Sequence, residues 1–422
     1  MPRGRGRDAM PAETDGQFVR NWRLLLHILL RKSDIGTITE DLTEQEVAEF
    51  FEFARNQHLR EPWYRMLAEQ DDHPMVPDNV MHRLERYMQM RHETRERLDK
   101  LLHALKDILD AAGIEFIVLK GPHYANRYHD GPASRQYDDL DILVRGADLG
   151  RTIRTLKKCG FEQPDRRPFL EGVVRRFEHA VVLQRDDAKL DLHWCIRNRP
   201  GYRLDMDRFW REVRPYEIGG HPFLVPSDEY VLLSILLEIG GELENGGSRL
   251  KRYYDLYRIL GTIGTALSWA EFFDARRHDN TLGLVVNAFA VFVHLFEVEE
   301  RYPALASAIR GLDHLVIIET REQAIALVSA PRGSPEGRVW FARSIECNPF
   351  RYFAWQALAF LFARSRARLV PRAATARAVA SYLLGYNRGS TAQGMVGATA
   401  KRPEVGSHVA TEASETRERR AV

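Results

Sequence analysis

Cysteine is scarce in this sequence, and the placement of the few present excludes two kinds of site. The 422 residues contain three cysteines, Cys159, Cys195 and Cys347. They are odd in number, far apart and without the short spacing of metal ligands, so neither a disulfide framework nor a cysteine zinc site is indicated. Free cysteines fit a reducing compartment, and we expect a cytoplasmic protein.

Net charge and long apolar runs are also missing. Lys and Arg total 61 against 59 Asp and Glu, a net charge of +2, so no bulk field favours nucleic acid or an anionic membrane. The most apolar run, residues 282–296, contains Asn287 and His294 and is shorter than the roughly 20 residues that a bilayer requires. No apolar region of signal-peptide type follows the initial MPRGRGRDAM. We expect no membrane partner, and nucleic acid is a poor candidate.

What the sequence does contain is a change of pattern along the chain. Hydrophobic residues make up 44%, enough for a buried core, and the length allows two or three domains. A central segment with strand signals lies between two helical regions, and two tails of small and charged residues without periodicity are expected to be disordered. In order, the predicted segments are residues 1–16 (tail), 17–112 (helical), 113–225 (α+β core), 226–386 (helical) and 387–422 (tail).

Helix ends are marked by capping signals. Thr43 with Glu46, and Ser268 with Glu271, have the spacing of capping boxes, and Gly113 is placed to end the helix that begins near residue 78. In the central segment, β-branched and aromatic runs predict four strands. These runs are IEFIVLK (114–120), QYDDLDILVRG (136–146), RRFEHAVVLQR (175–185) and KLDLHWCI (189–196). The fold class that follows is α+β, a small mixed-sheet core flanked by helical N- and C-terminal regions.

Carboxylates occupy the front of one predicted strand, QYDDLDILVRG. Alternate residues of a strand share a face, so Asp139 and Asp141 point one way and the apolar residues between them the other. Two carboxylates on one surface repel each other unless a cation lies between them, and Mg²⁺ or Mn²⁺ prefers such oxygen ligands. Asp191 can join them if its strand lies alongside, with His193 on the same face. The alternative is that the pair marks a strand end, a turn or a surface ion pair.

A strand, a glycine and a helix start stand together in VLKGPHY. Lys120 ends a buried strand, Gly121 allows close backbone approach, and Pro122 suits the first position of a helix. Such a turn can cradle phosphate, with Lys120 adding a positive charge. Arg135 either reaches nucleotide phosphates or forms an ion pair with Asp138.

The joint order of these motifs resembles a known family. The run h-h-L-K-G (h, hydrophobic), a short helix, an arginine, D-h-D-h-h-V and a later h-D-h-H-W resemble the nucleotidyltransferase superfamily that includes DNA polymerase beta. More narrowly, the sequence is similar to the bacterial nucleotidyltransferase family proteins, an uncharacterised group with L-K-G, R-x(3)-D-h-D-h-L-V and D-L-H-W in this order. The resemblance covers about residues 113–198, with weaker helical similarity to about residue 262.

The resemblance implies roles for individual residues. Asp139 and Asp141 would hold the metal ions that bridge the triphosphate, and Asp191 would act as base toward an acceptor hydroxyl. Lys120 and Gly121 stand where the superfamily has a Gly-Ser pair contacting phosphates, and Arg135 matches the motif arginine. The implied reaction is attack of a hydroxyl on the α-phosphorus of an NTP, with ATP expected and pyrophosphate leaving. The acceptor would be a small molecule, a sugar or a protein.

The sequence departs from the family pattern in two places. The Gly-Ser pair is absent, and the stretch LLEIGGELENGGSRLKRYYDL has glycines and glutamates where related sequences often have histidines before R-L-x(4)-D. Arg249, Arg252 and Asp255 either line the acceptor side or belong to a solvated helix face.

Two other functions remain open from the sequence. The same scaffold resembles the AbiE-type nucleotidyltransferase toxins of toxin–antitoxin pairs, which would act on tRNA or protein, although the near-zero net charge argues against an RNA substrate. A non-catalytic nucleotide-binding or scaffold protein is the other alternative. The presence of all three candidate carboxylates argues against a protein that has kept the fold and lost catalytic activity. A protein partner stays open in either case.

Overall fold

A mixed sheet with helices on both faces organises the chain in the computed structural model, and the α+β fold class predicted from the sequence is confirmed. The predicted tails, residues 1–16 and 387–422, lie outside the described residues. The residues that the structure describes are 20–22, 24–25, 43–68, 78–164, 178–296, 299–345 and 349–362.

Six strands form the sheet, in the order β3-β4-β2-β1-β6-β5. β2 pairs in parallel with β4 and antiparallel with β1, β1 pairs in parallel with β6, and two antiparallel hairpins, β3–β4 and β5–β6, complete the edges. The strands are β1 (Phe116–Val118), β2 (Leu140–Val144), β3 (Ala180–Arg185), β4 (Ala188–His193), β5 (Arg214–Ile218) and β6 (His221–Val225).

Helices precede the sheet, the last of them long, and a helical bundle follows it. They are α1 (Glu44–Asn56), α2 (Arg60–Ala68), α3 (Asp78–Ala111), α4 (Pro122–Tyr128), α5 (Leu149–Lys158), α6 (Met206–Arg211), α7 (Asp228–Glu244), α8 (Leu250–Ile263), α9 (Trp269–His278), α10 (Leu282–Phe296), α11 (Pro303–Arg310), α12 (Arg321–Ser329), α13 (Pro335–Ser344) and α14 (Pro349–Phe362). Short 3₁₀ turns occur at Pro132–Ser134 and Asp313–Leu315.

The β5–β6 hairpin was not expected from the sequence. Its two strands are joined by Gly219 and Gly220, whose φ angles are 58° and 78°. Two consecutive positive φ angles favour the tight turn that matches the twist of a hairpin, and glycine adopts them without strain. Pro215 and Pro222 lie in the flanking strands and weaken the strand signal, because proline cannot donate to the ladder.

The helix caps predicted from the sequence are present. The Thr43 hydroxyl accepts from the Glu46 backbone N–H at 3.3 Å, while the Glu46 carboxylate accepts from the Thr43 N–H at 2.8 Å. At the second predicted capping box, the Ser268 hydroxyl accepts a hydrogen bond from the Glu271 backbone N–H at 3.4 Å. Gly113, with φ 61°, follows the end of α3 as expected. Local sequence therefore decides where these helices begin and end.

Two hydrophobic cores cover the two faces of the sheet. Ile142 and Leu192 belong to the core formed with α3 and α5, whereas Ile117 and Leu143 belong to the larger core formed with α7, α8 and α10. Because alternate residues of β2 point to opposite faces, Asp141 shares its face with Leu143. The carboxylates are therefore directed toward the helical bundle. None of the helices in the described part of the chain is long and apolar enough to cross a membrane.

Candidate active site

The carboxylates of Asp141 and Asp191 meet because β2 and β4 are neighbouring parallel strands. The two residues are direct register partners, so the strand adjacency on which the sequence interpretation depended is present. His193 lies two residues after Asp191 on the same face, and its Nε2 is 3.0 Å from Asp141 Oδ1. One ligand atom from each of these three residues lies within 4.8 Å of the others. This spacing suits a shared cation.

Asp139 lies one residue before β2 and is half-buried. Burial, followed by the negative charges of Asp141 and Asp191, raises its pKa to about 6. The repulsion among these carboxylates is the electrostatic situation that a divalent cation relieves. Oxygen donors of this kind fit Mg²⁺ or Mn²⁺.

Lys120 supplies the nearest positive charge. Its Nζ lies 3.1 Å from Asp141 Oδ1 and donates to Glu238 Oε1 at 2.8 Å, which connects the end of β1 to α7. Burial opposes ionisation of Asp141, yet the Lys120 ammonium and the hydrogen bond from His193 hold the pKa of Asp141 below its usual range. Gly121 follows with φ 69° and is the residue before α4, so the turn needs a residue that tolerates the left-handed region.

Arg252, on α8, extends the same charge network. It contacts Glu238 Oε2 at 2.7 Å and Glu242 Oε1 at 3.1 Å. The backbone N–H of Arg249 donates to the second Glu242 oxygen at 3.0 Å. Burial alone would raise the pKa of Glu238. The charges of Arg252 and Lys120 stabilise the carboxylate and lower its pKa to about 2. The wall of the site opposite the sheet is thus a line of paired charges.

Arg135 and Asp255 are engaged with each other. Two hydrogen bonds of 2.9 Å join the Arg135 guanidinium to the Asp255 carboxylate, which also contacts His129 Nε2 at 3.0 Å and Lys251 Nζ at 2.9 Å. Asp255 is fully buried, so the solvated-face interpretation is wrong at this position. Asp138 pairs with Arg91 rather than with Arg135. This cluster fastens the loop before β2 to α8.

The sequence analysis did not identify Glu238, Arg197 or His179 as members of the site. Glu238 and Arg197 lie outside the matched motifs, and a charge inside a helix or after a strand has no distinguishing pattern. The one available signal was the Gly-Gly pair at residues 240–241, because glycines inside a helix often mark a close approach. The roles predicted for Asp139, Asp191, Lys120 and the other candidates stay predictions.

Comparison with known proteins gives a family match and several distant structural similarities. A family model described as uncharacterised nucleotidyltransferase matches residues 43–297. The crystal structure of an antigenic nucleotidyltransferase-like protein from Paracoccidioides brasiliensis is 20% identical, with 51% of this chain and 94% of that chain covered and a TM-score of 0.33. The crystal structure of ANT(2")-Ia in complex with adenylyl-2"-tobramycin is 14% identical, with 43% and 95% covered and a TM-score of 0.30. No curated protein matches the sequence.

Proposed function

The chain belongs to the uncharacterised nucleotidyltransferase family, and we propose that it moves an NMP from an NTP to a hydroxyl group of a small-molecule, sugar or protein acceptor. Pyrophosphate is the leaving group in this proposal, and ATP is the expected nucleotide. Family membership makes the protein an enzyme that transfers nucleotide groups. The metal requirement and the acceptor are our additions.

One observation carries the proposal: acidic side chains from two adjacent parallel strands converge on the same face of the sheet. Asp141 and Asp191 are register partners, and Asp139 lies close enough for their charges to raise its pKa. Lys120 offsets only part of this negative charge. Carboxylates left without full compensation cost free energy, so their convergence calls for a further cation. The donor set consists of hard oxygens with one imidazole alongside, which fits Mg²⁺ or Mn²⁺.

In the proposed site, Asp139, Asp141 and Asp191 hold the divalent cation, which when bound neutralises charge on the phosphates. Lys120 and His193 both engage Asp141 and fix the orientation of its carboxylate. Asp191 makes no ion pair within 4.0 Å among the residues that the structure describes. We also assign Asp191 the role of base, because one of its two oxygens can ligate the cation while the other accepts the proton of the acceptor hydroxyl.

The substrates would approach from the side of α7 and α8. The face of the sheet that carries the carboxylates is directed toward these helices, where Glu238 and Arg252 form the opposite wall. Lys120 links the two walls. The acceptor hydroxyl would attack the α-phosphorus in line with the departing pyrophosphate.

The test measures metal–nucleotide binding and turnover on the full chain. Titration calorimetry with Mn²⁺ and ATP should show binding in the wild type, and Asp141→Asn and Asp191→Asn should weaken it. Asp187→Asn is the matched control, because Asp187 is an exposed aspartate in the turn before β4. Pyrophosphate release should follow when a mixture of small hydroxyl compounds is offered. Unchanged binding in both site variants would refute the assignment of the site.

A further inference from the structure

Arg197 is a cation at the edge of the site without a carboxylate partner. It lies four residues after His193, and its Nη1 donates to His179 Nε2 at 3.4 Å. Within the described ranges, no Asp or Glu oxygen lies within 4.0 Å of its guanidinium. Neighbouring arginines differ, since Arg199 pairs with Glu244 at 2.8 Å and Arg252 with Glu238 at 2.7 Å. Arg197 is thus available to an anionic ligand.

The surroundings of Arg197 do not favour its charge. Burial, with the nearby Arg199 charge, lowers the pKa of the Arg197 guanidinium to about 10, so it stays charged at neutral pH in a place that penalises the charge. The carboxylates of Glu244 and Glu238 lie farther away and offset this burial only in part. A buried cation that is incompletely compensated destabilises the folded state. Such a penalty is expected of a group that meets its counter-charge only when a ligand binds.

Helix α7 leaves a space for this guanidinium. A Cβ atom on Gly241 would lie 2.0 Å from Arg197 Nη2, closer than any real contact. Glycine in the middle of a helix is less favourable than alanine. Its presence at position 241 is explained by the guanidinium that packs against the bare backbone. The glycine at position 241, which departs from the family pattern, therefore has a physical reason here.

His179, beside Arg197, has a buried ring nitrogen without a hydrogen-bond partner among the residues described. Burial, followed by the charge of Arg197, lowers the pKa of His179 well below its usual range, so its imidazole is neutral. Because Nε2 accepts from Arg197, the hydrogen resides on Nδ1, and this buried atom has no partner among the residues described. The His179 ring lies 5.5 Å from the His193 ring, and His193 contacts Asp141. The two donors are thus one imidazole away from the carboxylates.

We propose that Arg197, assisted by His179, binds the β- and γ-phosphates of the incoming NTP while the aspartates act at the α-phosphorus. This inference rests on the proposed nucleotidyl transfer. Arginine suits the role because its planar guanidinium donates two parallel hydrogen bonds to phosphate oxygens. The triphosphate carries the negative charge of the substrate and extends away from the reacting phosphorus, so its distal end needs a cation outside the group of aspartates.

Calorimetry on the full chain tests the assignment. The ligand is an ATP analogue with a methylene bridge between the α- and β-phosphorus, which prevents turnover, together with Mg²⁺. Arg197→Gln should weaken binding about 10- to 100-fold, the range for losing a charge-assisted hydrogen bond. Binding of AMP should not change. The matched control is Arg211→Gln, because Arg211 is an exposed arginine of α6.

Thermal unfolding without ligand separates a binding role from a structural one. Removal of a cation that burial penalises should leave the melting temperature of Arg197→Gln unchanged or higher. A marked drop in melting temperature with unchanged affinity for the analogue would overturn the proposal, because Arg197 would then be structural.

A second variant retains Arg197 and displaces its guanidinium group. Gly241→Ala places a methyl group where Nη2 lies, so we expect weaker binding of the analogue in a helix that remains stable. Gly261→Ala is the matched control, because its Cβ would meet Tyr302 at an ordinary 3.6 Å. If Arg197→Gln and Gly241→Ala both bind the analogue as tightly as the wild type, Arg197 has no phosphate role while the proposed transfer stands. If the wild type binds no Mg²⁺–analogue, the proposed transfer and this inference are both refuted.

Discussion

Replacement of Lys120 by methionine tests the electrostatic balance of the site most directly. The Lys120 ammonium lies between Asp141 and Glu238, at 3.1 and 2.8 Å, and its side chain is 21% exposed. Methionine retains the length of the side chain and removes the charge. Asp141, with a side chain 3% exposed, then has only His193 as a polar partner among the described residues.

The expected loss can be worked from the ion pairs. Removing one member of a buried pair costs about 3–5 kcal/mol, because the remaining charge is left without compensation. The pKa of Glu238 is lowered from 4.5 to about 2, chiefly by Arg252 and then by Lys120, which is worth about 3 kcal/mol shared between the two cations. For Lys120→Met we therefore expect unfolding free energy to fall by about 3 kcal/mol.

The pH dependence has a definite sign. Glu238 has a lower pKa in the folded state than in the unfolded chain, so its stabilisation is present above pH 4.5 and is lost as the pH falls toward 2. Lys120→Met should flatten this part of the stability profile, because the Glu238 pKa moves back toward 4.5.

Urea unfolding at pH 7 and at several acidic pH values measures both effects. The double variant Lys120→Met with Glu238→Gln should lose less than the sum of the single variants, because the two residues interact. Mg²⁺ should stabilise Lys120→Met more than the wild type, because the cation replaces the missing charge. A loss below about 0.5 kcal/mol, the usual range for surface substitutions, would show that Lys120 does not balance the carboxylates.

Other substitutions test the framework around the site by chemical unfolding. Asp255→Asn should lower the unfolding free energy by about 3–5 kcal/mol, because it leaves Arg135 and Lys251 buried without their carboxylate; a change within 0.5 kcal/mol would contradict the buried cluster. Asn287→Leu should cost about 3 kcal/mol, since three hydrogen bonds of 2.7–2.8 Å to backbone groups are lost, and an unaltered midpoint would refute this. Thr43→Ala should cost about 1 kcal/mol through loss of the α1 cap, whereas Thr43→Ser should retain most of the stability.

The predictions that were accurate concern local patterns. The alternation around Asp141 and the apolar run around Asp191 indicated the strands β2 and β4, although β2 begins at Leu140, one residue after Asp139. Capping spacing located the starts of α1 and α9. These features depend on neighbours within a few residues, so the sequence alone is sufficient. The β5–β6 hairpin was missed because its prolines weaken the strand pattern, although its Gly-Gly turn was readable.

What the sequence by itself determined is the class of fold, the candidate carboxylates Asp141 and Asp191, and the strands that bear them. Only the tertiary structure decided the partners of the charged residues. Arg135 pairs with Asp255, Lys120 with Glu238 and Asp141, and Arg197 packs against Gly241. The physical reason is that an ion pair needs only proximity and burial. Arg135 and Asp255, 120 positions apart, and Lys120 and Glu238, 118 apart, satisfy both through packing of the sheet against α7 and α8, which leaves no trace in local spacing.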